Sequence, residues 1–345
     1  LVVVTGATGH IGNVLVKKLV EQGEKVRVLI LPSEDSIPIN GLDVERVFGD
    51  VLNPKSLSRV FEGADTVFHL AGIISIMPGK NEQVRLVNVE GTNNVIKACK
   101  KLGIKRLVYT SSIHALKRTQ HGIVIDEKVP FDPENPFGAY DRSKAEASLL
   151  VRKATDNGLN AVIVCPTGVI GPFDFRRSEM GQLIQDCSRQ IPQLYVEGAY
   201  DFVDVRDVAI GLILASKLGI TGETYILSGH RTTIQNLMRT IEKITEKQIL
   251  RIRIPIFLAR IVALLAPTFY RLTKMKPHFT PYSLEVVGSN SNISHAKATK
   301  EFGYKTTPFE ETLKDTVKWF KENRHVSSGS KKSYHPKLAR NPSGA

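Results

Sequence analysis

An apolar run, Leu1-Val2-Val3-Val4, leads directly into Thr5-Gly6-Ala7-Thr8-Gly9-His10-Ile11-Gly12. No other stretch of the chain limits its fold as strongly. Three glycines at that spacing after an apolar run describe a buried strand that turns tightly into a helix. The N-terminus of such a helix carries unpaired N–H groups and can hold a pyrophosphate. A strand feeding a helix in this way opens a parallel βαβ unit.

The rhythm continues through the first half. Apolar runs at Val26–Leu31, Val44–Phe48, Thr66–Leu70, Leu107–Thr110 and Ala161–Cys165 predict strands. Between them, Asn13–Gln22, Pro54–Phe61 and Val89–Leu102 have helical spacing. Regular alternation predicts an α/β chain with a doubly wound parallel sheet, whose strand ends and loops gather along one ligand-binding edge. Beyond Pro172 the rhythm loosens: Phe173–Gln193, Ile234–Glu246 and Phe309–Asn323 read as helices and Glu223–Leu227 as a short strand. We therefore expect a dinucleotide-binding core over residues 1–172, with returns to it at about 200–230, and a smaller mixed α/β substrate-binding part over 173–324. Residues 325–345 are basic and lack periodicity, which predicts a disordered tail.

The formal net charge of +13 suggests nucleic acid until it is located. Most of it lies in two acid-free stretches, one running from Arg251 to Lys276 and the other the tail with Lys331, Lys332, Lys337 and Arg340. Aromatic residues are not interleaved with a basic groove, which argues against a nucleic-acid partner. Cys99, Cys165 and Cys187 have no metal-ligand spacing and cannot all pair, and no basic-apolar leader precedes the glycine loop. A reduced, cytoplasmic location is the expectation. Within Ile249–Tyr270, Pro255 and Pro267 bracket a helix of about three turns, too short to span a bilayer. It reads as packing against the substrate site or as lying on an anionic membrane surface.

The second chemical signal is Tyr140-Asp141-Arg142-Ser143-Lys144. Tyr140 and Lys144 share one helical face, where an ammonium can lower the phenol's pKa toward neutrality. Pro136-Phe137-Gly138 sets a loop just before that helix. Other motifs fall in order between the two signals: Gly49-Asp50-Val51, His69-Leu70-Ala71-Gly72, Asn88-Val89-Glu90-Gly91-Thr92 and Thr110-Ser111-Ser112. Asp50 can accept a hydrogen bond from an adenine amino group while Val51 packs on its ring. Ala71 and Gly72, after Leu70, let the backbone approach a cofactor closely. Asn88 can order the helix or a water near Lys144, or serve as a cap.

With these motifs from residue 1 to about 324, the chain resembles the extended short-chain dehydrogenase/reductases of the NAD-dependent epimerase/dehydratase superfamily. The resemblance implies a Rossmann sheet, a bound NAD or NADP, and hydride chemistry on a carbonyl or alcohol of a small molecule. It assigns Tyr140 as acid/base, Lys144 to the ribose hydroxyls and to the Tyr140 pKa, and Ser112 to the substrate oxygen, with the adjacent Ser111 as the alternative. Gly6, Thr8, Gly9, His10, Ile11, Gly12, Asp50, Val51, Leu70, Ala71, Gly72, Asn88 and Thr110 would line the cofactor, with Tyr140 and Lys144. Pro166, Thr167 and Val169 would stand at its nicotinamide end. The motif containing Asp204 and Asp207 would link the substrate part to the core, and Arg206 would form ion pairs there. Cys165 reads as core. Family members often dimerise through a helix bundle.

Two departures divide the family's activities. The second strand ends Leu29-Ile30-Leu31-Pro32-Ser33, without the acid that would bind a ribose 2′-hydroxyl and without the arginine that would accept a 2′-phosphate, so NAD and NADP both stand. Cys165-Pro-Thr-Gly-Val-Ile-Gly-Pro172 lacks the Arg and Asn of sugar-nucleotide enzymes. The Gly-His-Ile-Gly turn and the apolar 249–270 segment are similar to the dihydroflavonol-reductase and 3β-hydroxysteroid-dehydrogenase branch. The leading expectation is thus a reductase or dehydrogenase of a relatively apolar ketone or aldehyde and its alcohol. A nucleotide-sugar 4-epimerase with retained NAD and a non-catalytic cofactor-bound regulator are the alternatives. His114, two residues past Ser112, is a further acid/base candidate or a packing residue.

Overall fold

In the computed structural model, which describes residues 1–75, 81–261, 263 and 280–323, the apolar runs of the first half lie side by side. The strands are β1 Val2–Thr5, β2 Val26–Ile30, β3 Glu45–Phe48, β4 Thr66–His69, β5 Arg106–Thr110, β6 Ala161–Pro166 and, after three short strands, β10 Thr224–Leu227. They form a parallel seven-stranded sheet in the order β10-β6-β5-β4-β1-β2-β3. Strand order reverses between β1 and β4, which opens the crevice where such sheets bind ligands.

Helices cover both faces. The helices α1 His10–Glu21 and α7 Val205–Leu218 pack together on one face, burying Leu15, Val16, Leu212 and Ile213 against Val4, Val28 and Val108. On the other, α2 Pro54–Phe61, α4 Gly91–Lys101 and α5 Ala139–Asp156 bury Leu57, Cys99 and Val151 against Val3, Leu107 and Ile163. Strands buried on both faces carry nearly continuous apolar runs, as β1 and β6 do. The edge strand β3 is largely exposed and carries Glu45 and Arg46, charges that discourage edge-to-edge pairing.

Several expected boundaries move. The first helix begins at His10, with Gly9 as its N-cap, rather than at Asn13. The expected helix Val89–Leu102 is preceded by one turn, α3 Glu82–Arg85, and starts as a π-helical turn at Leu86–Glu90. The largest correction concerns Phe173–Gln193, where helix is confined to α6 Glu179–Ser188. Phe173 and Arg177 adopt left-handed backbone angles, and the Ser178 hydroxyl accepts from Gly181 N as the cap. Beyond the helix, Gln190 is again left-handed and Gln193–Tyr195 forms β8.

The later chain builds two small sheets that sequence spacing did not announce. β7 Gly168–Ile170, β9 Ala199–Asp204 and β11 His230–Thr233 form one, in the order β11-β9-β7. β8 pairs with β12 Arg251–Arg253 in the other. Within Ile249–Tyr270 the strand β12 precedes the helix expected between Pro255 and Pro267; helix runs over 256–261, and residues 262 and 264–270 lie outside the described residues. None of the segment's described residues lines the main cavity; Ala259 and Ala263 pack on Val196 and Leu284. Leu250, Ile252, Phe257 and Ile261 are exposed. Arg271, Lys274, Lys276 and the expected disordered tail also lie outside the described residues. Among the described residues no helix is long and apolar enough to cross a membrane.

Helix α8 Ile234–Thr245, the helix Phe309–Glu322 and α6 enclose a separate core around Leu237, Met238, Ile241, Leu313 and Val317. The helices Pro281–Val287 and Ala296–Phe302 complete the described chain.

Candidate active site

The glycine loop sits at the crevice between β1 and β4. Gly6 has φ +74°, and a Cβ there would lie 2.7 Å from Ala71 N and from Leu70 C. Gly12 is tighter: a Cβ would come 2.1 Å from Gly6 O. Only glycine allows this turn and the approach of the β4 end, where Leu70 N donates to Thr5 O and Ala71 N to Thr5 Oγ1. Among the described residues no side chain caps α1, and its first turn carries no acid. The positive end of the helix dipole is left for an anion, which suits a pyrophosphate. Gly72 completes the cradle: a Cβ there would stand 3.0 Å from Asn88 Oδ1 and 3.6 Å from Lys144 Nζ. The residues present fit a dinucleotide.

The other expected cofactor residues surround this loop. The His10 ring bonds Pro172 O at 3.0 Å, and Ile11 packs on the core. After β3, Asp50 accepts from Leu52 N at 2.9 Å, while Val51 is buried under Gly91. Asn88 caps no helix. Its Oδ1 accepts from Ile73 N at 2.7 Å, and its Nδ2 donates to Ile73 O and Ser143 Oγ, tying the loop after β4 to α5. Asn88 sits within the π-helical turn Leu86–Glu90.

At the end of β5 the two serines diverge. Ser111 Oγ turns inward and bonds Ser148 Oγ at 2.7 Å. Ser112 Oγ caps the short turn Ile113–Ala115, accepting from His114 N at 3.2 Å. Lys144 Nζ donates to Thr110 O at 2.8 Å. The expectation that the ammonium draws the phenol toward neutrality is overturned: burial pushes Tyr140 up to about 12, with Ser112 pulling weakly the other way. Burial likewise brings Lys144 down to about 8. Both side chains are buried, and desolvation is the largest cause of each shift.

Tyr140 opens into a cavity of about 580 Å³. Its wall is mainly apolar and comes from distant parts of the chain, among them Ile113, Leu116, Met180, Phe202, Val286 and Ile293. Thr167 and Val169 line it, next to Pro166 at the end of β6; Thr167 Oγ1 donates to Asp201 Oδ1 at 2.7 Å. Cys165 is fully buried, and burial pushes its thiol up to about 12. His114 also lines the cavity, and burial lowers its pKa, which favours a neutral ring. Farther out, Arg206 pairs with Asp204 and Asp315, while Asp207 holds Thr307.

Sequence reasoning missed two polar clusters. In the first, Tyr282 donates to the fully buried Asp141 at 2.7 Å, and Arg118, stacked on Phe137, lies 3.7 Å from the other carboxylate oxygen. A Cβ on Gly138 would strike the Tyr282 ring at 2.8 Å, so the start of α5 is shaped to receive that ring. In the second, Thr8 of the glycine loop donates to Glu34 Oε2, and Arg176 Nη2 donates to Glu34 Oε1 and Thr8 Oγ1. The members of each cluster are too far apart in sequence for spacing to connect them.

Comparison with known proteins places this geometry. The model of the NAD dependent epimerase/dehydratase family matches residues 2–227. The chain is 34% identical to sterol demethylase protein B of Methylococcus capsulatus, covering 92% of this chain and 98% of that protein. It is 31% identical to 3beta-hydroxysteroid-dehydrogenase/decarboxylase isoform 1 of Arabidopsis thaliana, covering 92% and 79%. The crystal structure of gox2253 superimposes with a TM-score of 0.83 at 31% identity, covering 95% of this chain and 99% of that one. With the glycine loop, the parallel sheet and the family match in agreement, the chain belongs to the NAD-dependent epimerase/dehydratase family and is an NAD(P)-dependent oxidoreductase of the extended short-chain dehydrogenase/reductase type.

Proposed function

We propose that this enzyme interconverts a ketone or aldehyde and its alcohol on a bulky, relatively apolar molecule, with Tyr140 as the proton donor and acceptor. The observation that carries the reading is the mainly apolar cavity of about 580 Å³ into which Tyr140 opens. Pockets of this size take a drug-sized or polycyclic molecule, and apolar walls reward one that sheds its hydration there. The bound dinucleotide supplies or accepts the hydride. Ser112 would hold the reacting oxygen beside the Tyr140 hydroxyl. With its pKa near 12, Tyr140 keeps its proton at neutral pH and so stands ready as an acid in the reductive direction. Lys144, fixed on Thr110 O under Gly72, would steady the cofactor ribose and place positive charge near the tyrosine as its proton leaves. Two relatives are named for sterol or hydroxysteroid reactions, which supports a polycyclic substrate.

The test is an absorbance screen with NADH and NADPH across ketosteroids, long-chain aldehydes and ketones, and UDP- or TDP-sugars. Cofactor oxidation with the apolar carbonyls is expected. Turnover confined to sugar nucleotides without net cofactor consumption would replace this reading with a 4-epimerase; the cationic Arg118 and Arg177 on the cavity wall are the feature a diphosphate would use. On the accepted substrate, Tyr140→Phe should lower kcat by about 10² to 10⁴. An unchanged rate with a normally folded variant would remove Tyr140 from the chemistry.

A further inference from the structure

The end of β2 carries neither the acid nor the arginine that ordinarily reads the adenosine ribose, yet the structure supplies a carboxylate from another place. Glu34 N donates to Leu31 O at 2.9 Å, and this turn brings Glu34 back toward the glycine loop. Its carboxylate is then fixed from two sides. Thr8, between Gly6 and Gly9, donates to Oε2 at 2.9 Å. Arg176 Nη2 donates to Oε1 at 2.7 Å and to Thr8 Oγ1 at 2.6 Å. The arginine arrives on the loop after β7, which is itself clamped to α1: Pro172 O bonds the His10 ring, and Phe173 O accepts from Asn13 Nδ2.

We propose that Glu34, held against Thr8 by Arg176, receives the 2′-hydroxyl of the cofactor's adenosine ribose and makes the site selective for NAD(H) over NADP(H). In a doubly wound sheet the ribose 2′ position is read where the second strand ends, beside the glycine loop. Glu34 occupies that neighbourhood three residues later than the usual acid. A carboxylate has about four acceptor positions, so the two bonds present leave capacity for a ribose hydroxyl. A 2′-phosphate would instead bring its charge against Glu34. Arg176 does not offset that repulsion, because Glu34 already neutralises it and its Nη2 is engaged by both Glu34 and Thr8. Arg176 is thus a positioning residue for the carboxylate. The inference rests on the family's cofactor and is independent of the proposed substrate.

The test is the dissociation constants of NADH and NADPH, measured by fluorescence on the full chain without substrate. Wild type should bind NADH at least about ten-fold more tightly, the scale of one hydrogen bond to a charged group. Glu34→Gln and Glu34→Ser should remove most of that preference by weakening NADH binding without weakening NADPH. Arg176→Met should weaken NADH binding less and leave NADH preferred. Circular dichroism on each variant, with two substitutions at Glu34, separates lost selectivity from lost fold. Preference for NADPH by wild type, an unchanged ratio in both folded Glu34 variants, or loss of NADPH binding in Arg176→Met would each overturn the proposal. The last result would make Arg176 a phosphate receptor. None of these outcomes bears on the ketone and alcohol chemistry, which the substrate screen tests separately.

Discussion

The cofactor edge and the substrate cavity share Tyr140 but are built by different means. At the edge, the shape comes from backbone: Gly6 lies against Leu70 and Ala71, and Gly12 against Gly6 O, with no room for a methyl group. At the cavity, the shape comes from side chains on segments more than a hundred residues apart, from Ile113 to Ile293. Backbone contacts of that closeness admit one solution. Side-chain walls can repack, because apolar volume can be redistributed among neighbours. The difference explains how a common cofactor frame can serve several substrates within one family.

Substitutions on the two sides of this contrast should behave differently. Gly12→Ala is the most severe: relieving a 2.1 Å contact requires the loop to move, and a stability loss of more than about 3 kcal/mol with loss of nucleotide binding is expected from urea unfolding and titration. A stable variant that binds cofactor would refute the idea that backbone alone shapes the edge. Tyr282→Phe removes the hydroxyl that donates to the fully buried Asp141, and leaves that carboxylate short of a donor. Up to about 3 kcal/mol of stability should be lost, measured by thermal and urea unfolding. A larger change in KM than in kcat would place its main effect on the wall.

The edge also contains a buried titratable strut. His69 bridges Thr5 and Thr92 through its two ring nitrogens, and burial lowers its pKa from 6.5 to about 3. Between those values the unfolded chain takes up a proton that the folded chain refuses. Stability should therefore fall as pH drops below about 6.5, by about 2 kcal/mol between pH 7 and pH 5. Urea midpoints of wild type and His69→Gln at the two pH values test this. Equal slopes would show that the imidazole is not the group responsible. The smallest effect belongs to the wall: Met180→Leu should cost less than about 1.5 kcal/mol and alter only the ranking of substrates in the screen. A loss as large as that of Gly12→Ala would erase the contrast between the regions.

The legibility of the sequence follows the same division. The helix Pro54–Phe61 has the expected ends because Asn53 caps it and proline opens it, both local signals. The run Phe173–Gln193 misled because its composition is helical while its ends are set by left-handed residues and by the Asp174–Ser178 contacts. Helix α7 carries its own signals, the Asp204 cap before it and Gly219 after it. The short strands β7, β9 and β11 have no strong period of their own and exist because they pair with one another.

Chain order is enough to specify the parallel sheet, the glycine turn, and the presence of Ser112 at a strand end with Tyr140 and Lys144 on one helix. Such features depend on neighbours within about two helical turns or on the alternation of whole elements. Packing in three dimensions turns Ser111 inward, raises Tyr140 and lowers Lys144 by burial, and brings Glu34 and Arg176 together over Thr8. Desolvation and long-range pairing depend on what packs over a residue, and spacing along the chain does not record that.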